Sequence, residues 1–438
     1  MPSSFGERED SPLSRTFLIC PEPIRDLTAG VGTRFLTLAR ALDAAGHGVT
    51  LAIPNDPGEA AVPVEGVEIV QADPDRLGSQ ADGHDWVLLH AHLGNHYLNQ
   101  RDDLPVVVDL YDPFLVENLP YHRELGFDPF TTDHATWRLQ MARGDLFLCS
   151  SQEQRLFYLG WLNALGRVNP LALEKDPTLE RLIVELPFGT PDEEPPSPPR
   201  RADVVPGVDE DAPLLYFGGI YDWYDPQVVL DAIPALLEHD SRTSLIFVEH
   251  PHPESTPLAA ARRTRELAEK NGWLGSTVRF EMWRPYEQRF EIPQVCDLAV
   301  VTHRPGLETD LSLRTRLVDL MWLGLPSVVT DGGTMARVVA EEGAGTVVPA
   351  SDPSALSAAV CDLLVDADRR QRASEAARKW AAQRSWSKVV APLLEFASNP
   401  RRDPYRERFE GLAPGAVTGE EPLLRKIQRA IRRKGGGR

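Results

Sequence analysis

Residues Val318 to Val360, VDLMWLGLPSVVTDGGTMARVVAEEGAGTVVPASDPSALSAAV, decide the fold. Two short β-branched runs, LPSVVTD and AGTVVPA, alternate with longer helical patterns, and Gly332-Gly333 stands where the first run gives way to a helix. Such alternation is the signature of βαβ units around a parallel sheet. It extends upstream through PLLYFGG, TSLIFVEH, STVRFEM and CDLAVVTH, with helical stretches such as Pro226 to Glu238 and Leu258 to Asn271 between them. From Thr16 onward a second set repeats it: TFLIC, GVTLAIP, VEIVQ, DWVLLHA, PVVVDLY and DLFLCS, with Phe35, Leu38, Ala39 and Leu42 at helical spacing after the first strand. Between Pro187 and Pro213 the chain is too rich in proline and acids to pack a core and reads as a linker. Two α/β domains are the expectation.

Composition bounds the function. At 438 residues, 42% hydrophobic and 25% charged, the chain is long enough for two or three globular domains. Cys20, Cys149, Cys296 and Cys361 have no CxxC spacing, and three lie in apolar runs, so bridges and a zinc site are not expected. A net charge of -19 argues against nucleic acid as a partner. The exception is Pro422 to Arg438, with seven Lys/Arg and no acid, which leaves the remainder at -26. In this tail Leu423, Leu424, Ile427, Ala430 and Ile431 recur at helical spacing, which fits either a solvated charge run or a surface helix on anionic lipid. The N-terminus is polar and no run approaches ~18 apolar residues, so the expectation is a cytoplasmic protein, peripheral on the inner face of the membrane if the tail binds lipid.

Ligands of open parallel sheets bind at the carboxyl ends of the strands. Gly30 and Gly32 open the first helix, where backbone N–H groups meet an anion, but the third glycine of GxGxxG and an acid ending the second strand are missing, which disfavours a dinucleotide. His90 and His92 follow one strand and Asp109, Tyr111 and Asp112 another, so His92 and Asp112 are candidates for one cleft. In the second half Gly218 and Gly219 open the turn IYDWYDP, and His250 ends the next strand. Arg314, Arg316 and Asp319 lie near the start of an apolar helix with Ser312 as its expected N-cap. Two guanidiniums there oppose the helix dipole yet suit a diphosphate; the alternative is surface arginines paired to Glu308 and Asp310. Neither Asp73-Pro74-Asp75 nor Asp366-Ala367-Asp368 suits a metal-diphosphate site, and no GxSxG, Walker loop or HExxH is present.

Over most of residues 16 to 397 these motifs resemble the family 4 glycosyltransferases of the GT-B fold. AGVGTRFLTLARALDAAGHGVTLA is similar to the family's glycine loop and first helix, DWVLLHAH to its "D.vH.H" segment and LPFGTPDE to its "vPnGvD". LLYFGGIYDWYDPQVVLDAIPAL, VRFEMWRPYEQRFEIPQVCDLAVVTH and the Val318 to Val360 run resemble three segments of its second domain. The resemblance implies transfer of a sugar from a nucleotide-diphosphate donor with retention, the nucleotide sugar being a co-substrate and no cofactor or metal being needed. Departures are specific. Gly219 and Tyr224 stand where the family carries the Arg and Lys that grip the diphosphate, which leaves Arg314 and Arg316, with Arg284 or Arg289 as lesser candidates. The second glutamate of its paired motif, assigned to the ribose, is Asp319, and Leu311 stands at the first, with Glu308 three residues earlier. Its "HD" becomes Tyr111-Asp112, and Trp283 follows the position near the nucleobase. RTRxxD and GGxYDWxDP forms are similar to those of a divergent branch.

The reading is therefore α/β, GT-B, with two Rossmann-like domains facing a cleft and a C-terminal helix crossing back. Residues 1–15 are expected disordered, 16–187 an acceptor domain, 188–212 a linker, 213–380 a donor domain, 381–400 the crossover helix and 401–438 the basic tail. Asp112, Glu308 and His92 are the expected catalytic groups. Gly30, Gly32, Gly218, Gly219, His250, Trp283, Arg284, Arg314, Arg316 and Asp319 are the expected donor contacts. The acceptor expected from the tail is a membrane-proximal glycan or lipid-linked molecule of polysaccharide biosynthesis. A catalytically silent GT-B subunit that activates a partner glycosyltransferase is the alternative, and a sugar-nucleotide epimerase a third.

Overall fold

The computed structural model describes residues 13–60, 65–250 and 258–406. These form two parallel sheets. The first holds β1 (Arg15–Ile19), β2 (Gly48–Ile53), β3 (Val67–Gln71), β4 (Trp86–Leu89), β5 (Val106–Asp109), β6 (Leu146–Cys149) and β7 (Ile183–Glu185), in the order β3-β2-β1-β4-β5-β6-β7. The second holds β8 (Leu214–Gly219), β9 (Ser244–Val248), β10 (Val278–Glu281), β11 (Leu298–Val301), β12 (Ser327–Thr330) and β13 (Gly345–Val348), in the order β10-β9-β8-β11-β12-β13. Helices cover both faces, which is why the strands are continuous apolar runs such as LFLC and SLIFV rather than alternating ones. In β1, Phe17 and Ile19 enter the core on one face and Leu18 that on the other. Each sheet has its switch point where the chain order reverses, between β1 and β4 and between β8 and β11, and ligand crevices form there.

The chain crosses between domains twice. After β7, Pro187 to Thr190 leads out, and Thr190 forms a parallel bridge with Ser385 on the return. A Cβ on Gly189 would lie 2.8 Å from Val389 and 2.9 Å from Trp386, so no larger residue fits between the two crossings. The returning helices Trp386–Val389 and Ala391–Ser398 bury Trp386, Val390, Leu393 and Phe396 in the first core, each large apolar side chain stabilising by about 1.5–3 kcal/mol.

Four boundaries differ from the sequence expectation. Ser14 is buried against His47, and β1 begins at Arg15, so the first domain starts earlier than residue 16. The second half of the expected linker is not bare: Val204, Val205, Val208 and Ala212 join the second core, and buried Arg201 pairs with Asp297 at 3.1 Å. The expected single crossover helix is broken, because helix Ala367–Ala381 ends in the second domain and the crossing is extended around Ser385. Finally, residues 401–406 pack on the first domain rather than belonging to a tail, with Arg406 4% exposed and 3.2 Å from Asp145. Pro422 to Arg438 lies outside the described residues. Among those described, no helix is long and apolar enough to cross a membrane, and all four cysteines are free thiols.

Candidate functional site

A cleft of about 860 Å³ opens between the carboxyl ends of the two sheets, walled by the first helix, the hinge, the second domain and the crossover helix. Its second-domain wall is built on the turn after β8. There Arg316 donates from Nη1 to the Phe217 carbonyl and from Nη2 to that of Gly219, both at 2.6 Å, and its guanidinium lies 4.4 Å from the centre of the Tyr224 ring. Gly218, at φ +86°, makes room for it: a Cβ there would sit 3.0 Å from Arg316 Nε. Gly218 thus admits an arginine and is absent from the cleft lining, whereas Gly219 reaches the cleft. Asp319 also lines the cleft, and among the described residues nothing hydrogen-bonds to its carboxylate. Burial pushes its pKa up to about 6, against the pull of Arg289. Trp283 stands beside Gly219, and Arg289 lies against the Tyr286 and Phe290 rings, at 3.9 and 4.1 Å, while donating to the Tyr286 carbonyl at 2.6 Å.

Two expected donor contacts on this domain lie elsewhere. Arg284 is outside the lining and donates to the Val204 carbonyl at 3.0 Å, because the returning linker supplies an acceptor there. His250 packs edge-on against Tyr221, 5.1 Å away, also outside the lining.

Arg314 is the third correction. It is 6% exposed and grips Glu308 through two bonds of 2.6 Å each, so its charge is matched inside the protein rather than offered to a diphosphate. Of the two readings of this arginine pair, Arg314 follows the ion-pair one, though buried, whereas Arg316 has no acid partner among the described residues, is held by two carbonyls and lines the cleft. Ser312 is not an N-cap. Helix Thr315–Leu323 starts without a side-chain cap, and Ser312 instead stands 2.8 Å from Glu308 and 2.9 Å from Glu117, a first-domain residue. Glu117 in turn contacts Asp112, which lies 3.9 Å from His90. The expected pair Asp112 and Glu308 is therefore joined across the domain seam by a residue the sequence reading did not single out. His90 donates from Nδ1 to the Asp109 carbonyl at 2.7 Å. Burial lowers its pKa, but Asp112 and Asp109 outweigh that and raise it overall.

On the first-domain wall the helix Gly30–Ala44 begins at the cleft, but Glu22 takes part of its N-terminal N–H set. Glu22 accepts from Ala29 at 2.5 Å and from Gly32 at 2.7 Å, so the Gly32 N–H is committed to an internal carboxylate and Gly32 is absent from the cleft lining, whereas Gly30 reaches the cleft. Burial raises the Glu22 pKa in spite of those bonds. His92 has both ring nitrogens engaged, with Nε2 2.8 Å from Asp133 and Nδ1 2.9 Å from Thr136, so it braces helix Asp128–Arg143 and does not stand as a base. Arg34 was also missed. It is fully buried, pairs with Asp109 at 2.6 and 3.0 Å, donates to the Leu186 and Pro187 carbonyls, and lies 4.7 Å from the Tyr111 ring centre. Its signal was a charge one turn before Leu38 on the apolar face of a helix, which a buried acid must answer. No group of three or more His, Cys, Asp or Glu among the described residues is arranged to hold a metal ion.

Comparisons with known proteins bear on this geometry. Residues 212–366 match the family model of the group 1 glycosyl transferases. A D-inositol 3-phosphate glycosyltransferase of Corynebacterium urealyticum is 30% identical over 171 residues, 39% of each chain. A D-inositol 3-phosphate glycosyltransferase 2 of Catenulispora acidiphila is 28% identical over 225 residues, 50% of this chain and 51% of that one. The chain thus spans about half or less of the curated relatives it matches. Among solved structures, Anabaena HepE in complex with UDP and glucose superimposes with a TM-score of 0.65 at 14% identity, over 88% of this chain and 100% of that one. A sucrose-phosphate synthase of Thermosynechococcus elongatus gives 0.63 at 15% identity, over 87% and 98%. The second domain is thus similar to the group 1 glycosyl transferases over residues 212–366, and the chain as a whole has the two-domain GT-B fold of its structural neighbours.

Proposed function

We propose that the protein is a glycosyltransferase that moves a sugar from a nucleotide-diphosphate sugar, held mainly on the second domain, to an acceptor on the first. The observation that carries this is Asp319: a carboxylate with no hydrogen-bond partner among the described residues, in the interdomain cleft, with Trp283 and Arg316 lining the same wall. Asp319 accepts from the ribose hydroxyls, and Trp283 lies beside the base. Arg316, fixed by its two carbonyls, with Arg289, meets charge developing on the leaving diphosphate, and a preorganised guanidinium there lowers the barrier without reorganising. Asp112 and Glu308, at the seam, orient sugar hydroxyls. Closure excludes water, which would otherwise hydrolyse the donor. Metal-independent transfer with retention follows the family resemblance, and a membrane-proximal glycan or lipid-linked acceptor in polysaccharide biosynthesis follows the basic 422–438 segment.

The silent-subunit reading is favoured by two observations: Arg314 is neutralised by Glu308, and Glu22 fills the first helix N-terminus. A thermal-shift panel of UDP, GDP, dTDP and ADP sugars, with and without EDTA, separates the two, because a ligand of the native state raises its midpoint. A shift for one nucleotide that survives EDTA is expected. No shift with any of them would transfer the weight to the silent subunit.

A further inference from the structure

At the seam three carboxyl groups, Asp112, Glu117 and Glu308, meet with too few hydrogen-bond donors to compensate three ionised groups. Ser312 has a single hydroxyl proton, yet its Oγ lies 2.8 Å from Glu308 and 2.9 Å from Glu117. Glu308 accepts two guanidinium bonds from Arg314, the arrangement of an ionised carboxylate. Asp112 faces His90: the Nδ1 of His90 must donate to the Asp109 carbonyl, which leaves Nε2 toward Asp112 at 3.9 Å. Glu117 is the carboxyl left over. It touches the Asp112 carboxyl, and two carboxyl groups in hydrogen-bonding contact need a proton between them. If Ser312 gives its proton to Glu308, the charged partner, its oxygen accepts from Glu117.

We propose that Glu117 is a proton-carrying positioning residue, whose neutral carboxyl group links Asp112 of the first domain to Ser312, Glu308 and Arg314 of the second, so that the closed cleft retains one proton at this seam. Asp112 and His90 face it from the ends of β5 and β4, and Glu308 and Arg314 from across the seam. Tyr121, Tyr221 and Asp222 flank it, with Glu22 next to Asp112. Arg314, the permanent cation among these named groups, has both Nη atoms on Glu308. Burial, and then the Asp112 and Glu308 charges, hold the Glu117 carboxyl well above the ordinary glutamate range. The inference rests on the glycosyltransferase reading only for the claim that this seam adjoins the sugar; the proton itself does not depend on it.

The experiment uses the full-length, ligand-free protein. Glu117→Gln supplies a fixed N–H donor in place of the acid proton. Its thermal stability is expected to match wild type near about pH 5 and to exceed it increasingly as the pH rises, by up to about tenfold in folding equilibrium per unit. A wild-type minus variant infrared spectrum at neutral pH is expected to show the C=O stretch of a protonated carboxyl. Ser312→Ala should shift that band, and it serves as the second variant if Glu117→Gln does not fold. Parallel stability curves, or a difference spectrum with carboxylate bands alone, would overturn the proposal. Neither readout involves a nucleotide, so such a result leaves the donor cleft untouched, whereas a blank nucleotide panel leaves the proton untouched. Once a donor is identified, Glu117→Gln is expected to keep kcat and extend its alkaline limb; loss of kcat with an unmoved limb counts against the proposal.

Discussion

The two walls of the cleft are built from the same parts and do opposite things. Each is the carboxyl end of a parallel sheet followed by a helix whose N-terminus faces the opening. On the first domain that N-terminus is closed by the chain's own Glu22, at 2.5 and 2.7 Å from two backbone nitrogens. On the second domain helix Thr315–Leu323 has no capping side chain, and Arg316 and Asp319 from it line the cleft. An internal carboxylate satisfies part of one wall, while the other keeps the Asp319 carboxylate, without a hydrogen-bond partner among the described residues, and the Arg316 charge, held by carbonyls alone, for a ligand to meet. A binding site is thus identified by what remains unpaired after folding rather than by a glycine-rich turn and a helix start.

The strongest way to break this contrast is Arg316→Ala. Loss of a preorganised donor at a developing charge is expected to lower transfer by about 10²-fold or more, measured as kcat/KM with the donor that the thermal panel identifies. Near-wild-type turnover would sink the assignment of this wall to the diphosphate. Arg316→Lys should not rescue it, because a single ammonium cannot reach the Phe217 and Gly219 carbonyls with the flat fork that now holds the group in place.

Asp319 sharpens the contrast next, because it sets binding against stability. Its folded pKa of about 6, above the ordinary 3.8, means the native state holds this proton more tightly than the unfolded chain. The associated stability is fully present below about pH 4 and is lost as pH rises through about 6. Asp319→Asn is therefore expected to be more stable than wild type at pH 8, by about 1–2 kcal/mol after screening by cleft water, and to bind nucleotide about tenfold more weakly. Calorimetric titration and thermal melts on one preparation read both quantities. If affinity is unchanged, Asp319 is not the ribose contact.

How much of this was legible in the sequence follows from how far apart the interacting residues lie. Strands such as WVLL and VVVD were readable because buried parallel strands are locally apolar; β7 was not, because three residues, Ile183–Glu185, within ERLIVELP leave too short a pattern. Asp319, Trp283 and Arg316 could be located from one local stretch or the motif around it. Arg314 could not be separated from Arg316 two positions away, since what divides them is Glu308 on one side and the carbonyls of β8, almost one hundred residues earlier, on the other. Arg34 and Glu117 escaped for the same reason: Arg34 meets Asp109 at a separation of 75 residues and Glu117 meets Ser312 at 195.

A smaller effect is expected from Glu22→Ala. It removes the carboxylate that caps the first helix and should cost about 1–2 kcal/mol, the scale of a lost N-cap. Because burial raises the Glu22 pKa, that loss should be largest at acid pH and shrink as pH climbs above the ordinary glutamate range. The nucleotide-induced thermal shift should not change. If it grows instead, the first helix N-terminus is a second anion site that Glu22 keeps shut, and the two walls differ in occupancy rather than in kind.

The smallest effect tests the first domain alone. His92 was expected to act in catalysis from its place after a strand, yet its two nitrogens meet Asp133 and Thr136, and its ring packs against Phe114. A base must have a nitrogen free toward the proton it takes, and here both are committed to helix Asp128–Arg143. His92→Gln is then expected to hold kcat/KM within about twofold of wild type, the range of a substitution that touches no reacting group, and to lower stability by about 1 kcal/mol through Asp133. Asp133 is 2% exposed and retains Asn118 at 2.9 Å, which is why the loss should stop there. A drop of tenfold or more in kcat at unchanged stability would mean that His92 releases Asp133 during turnover, and that the first wall also contributes reacting groups.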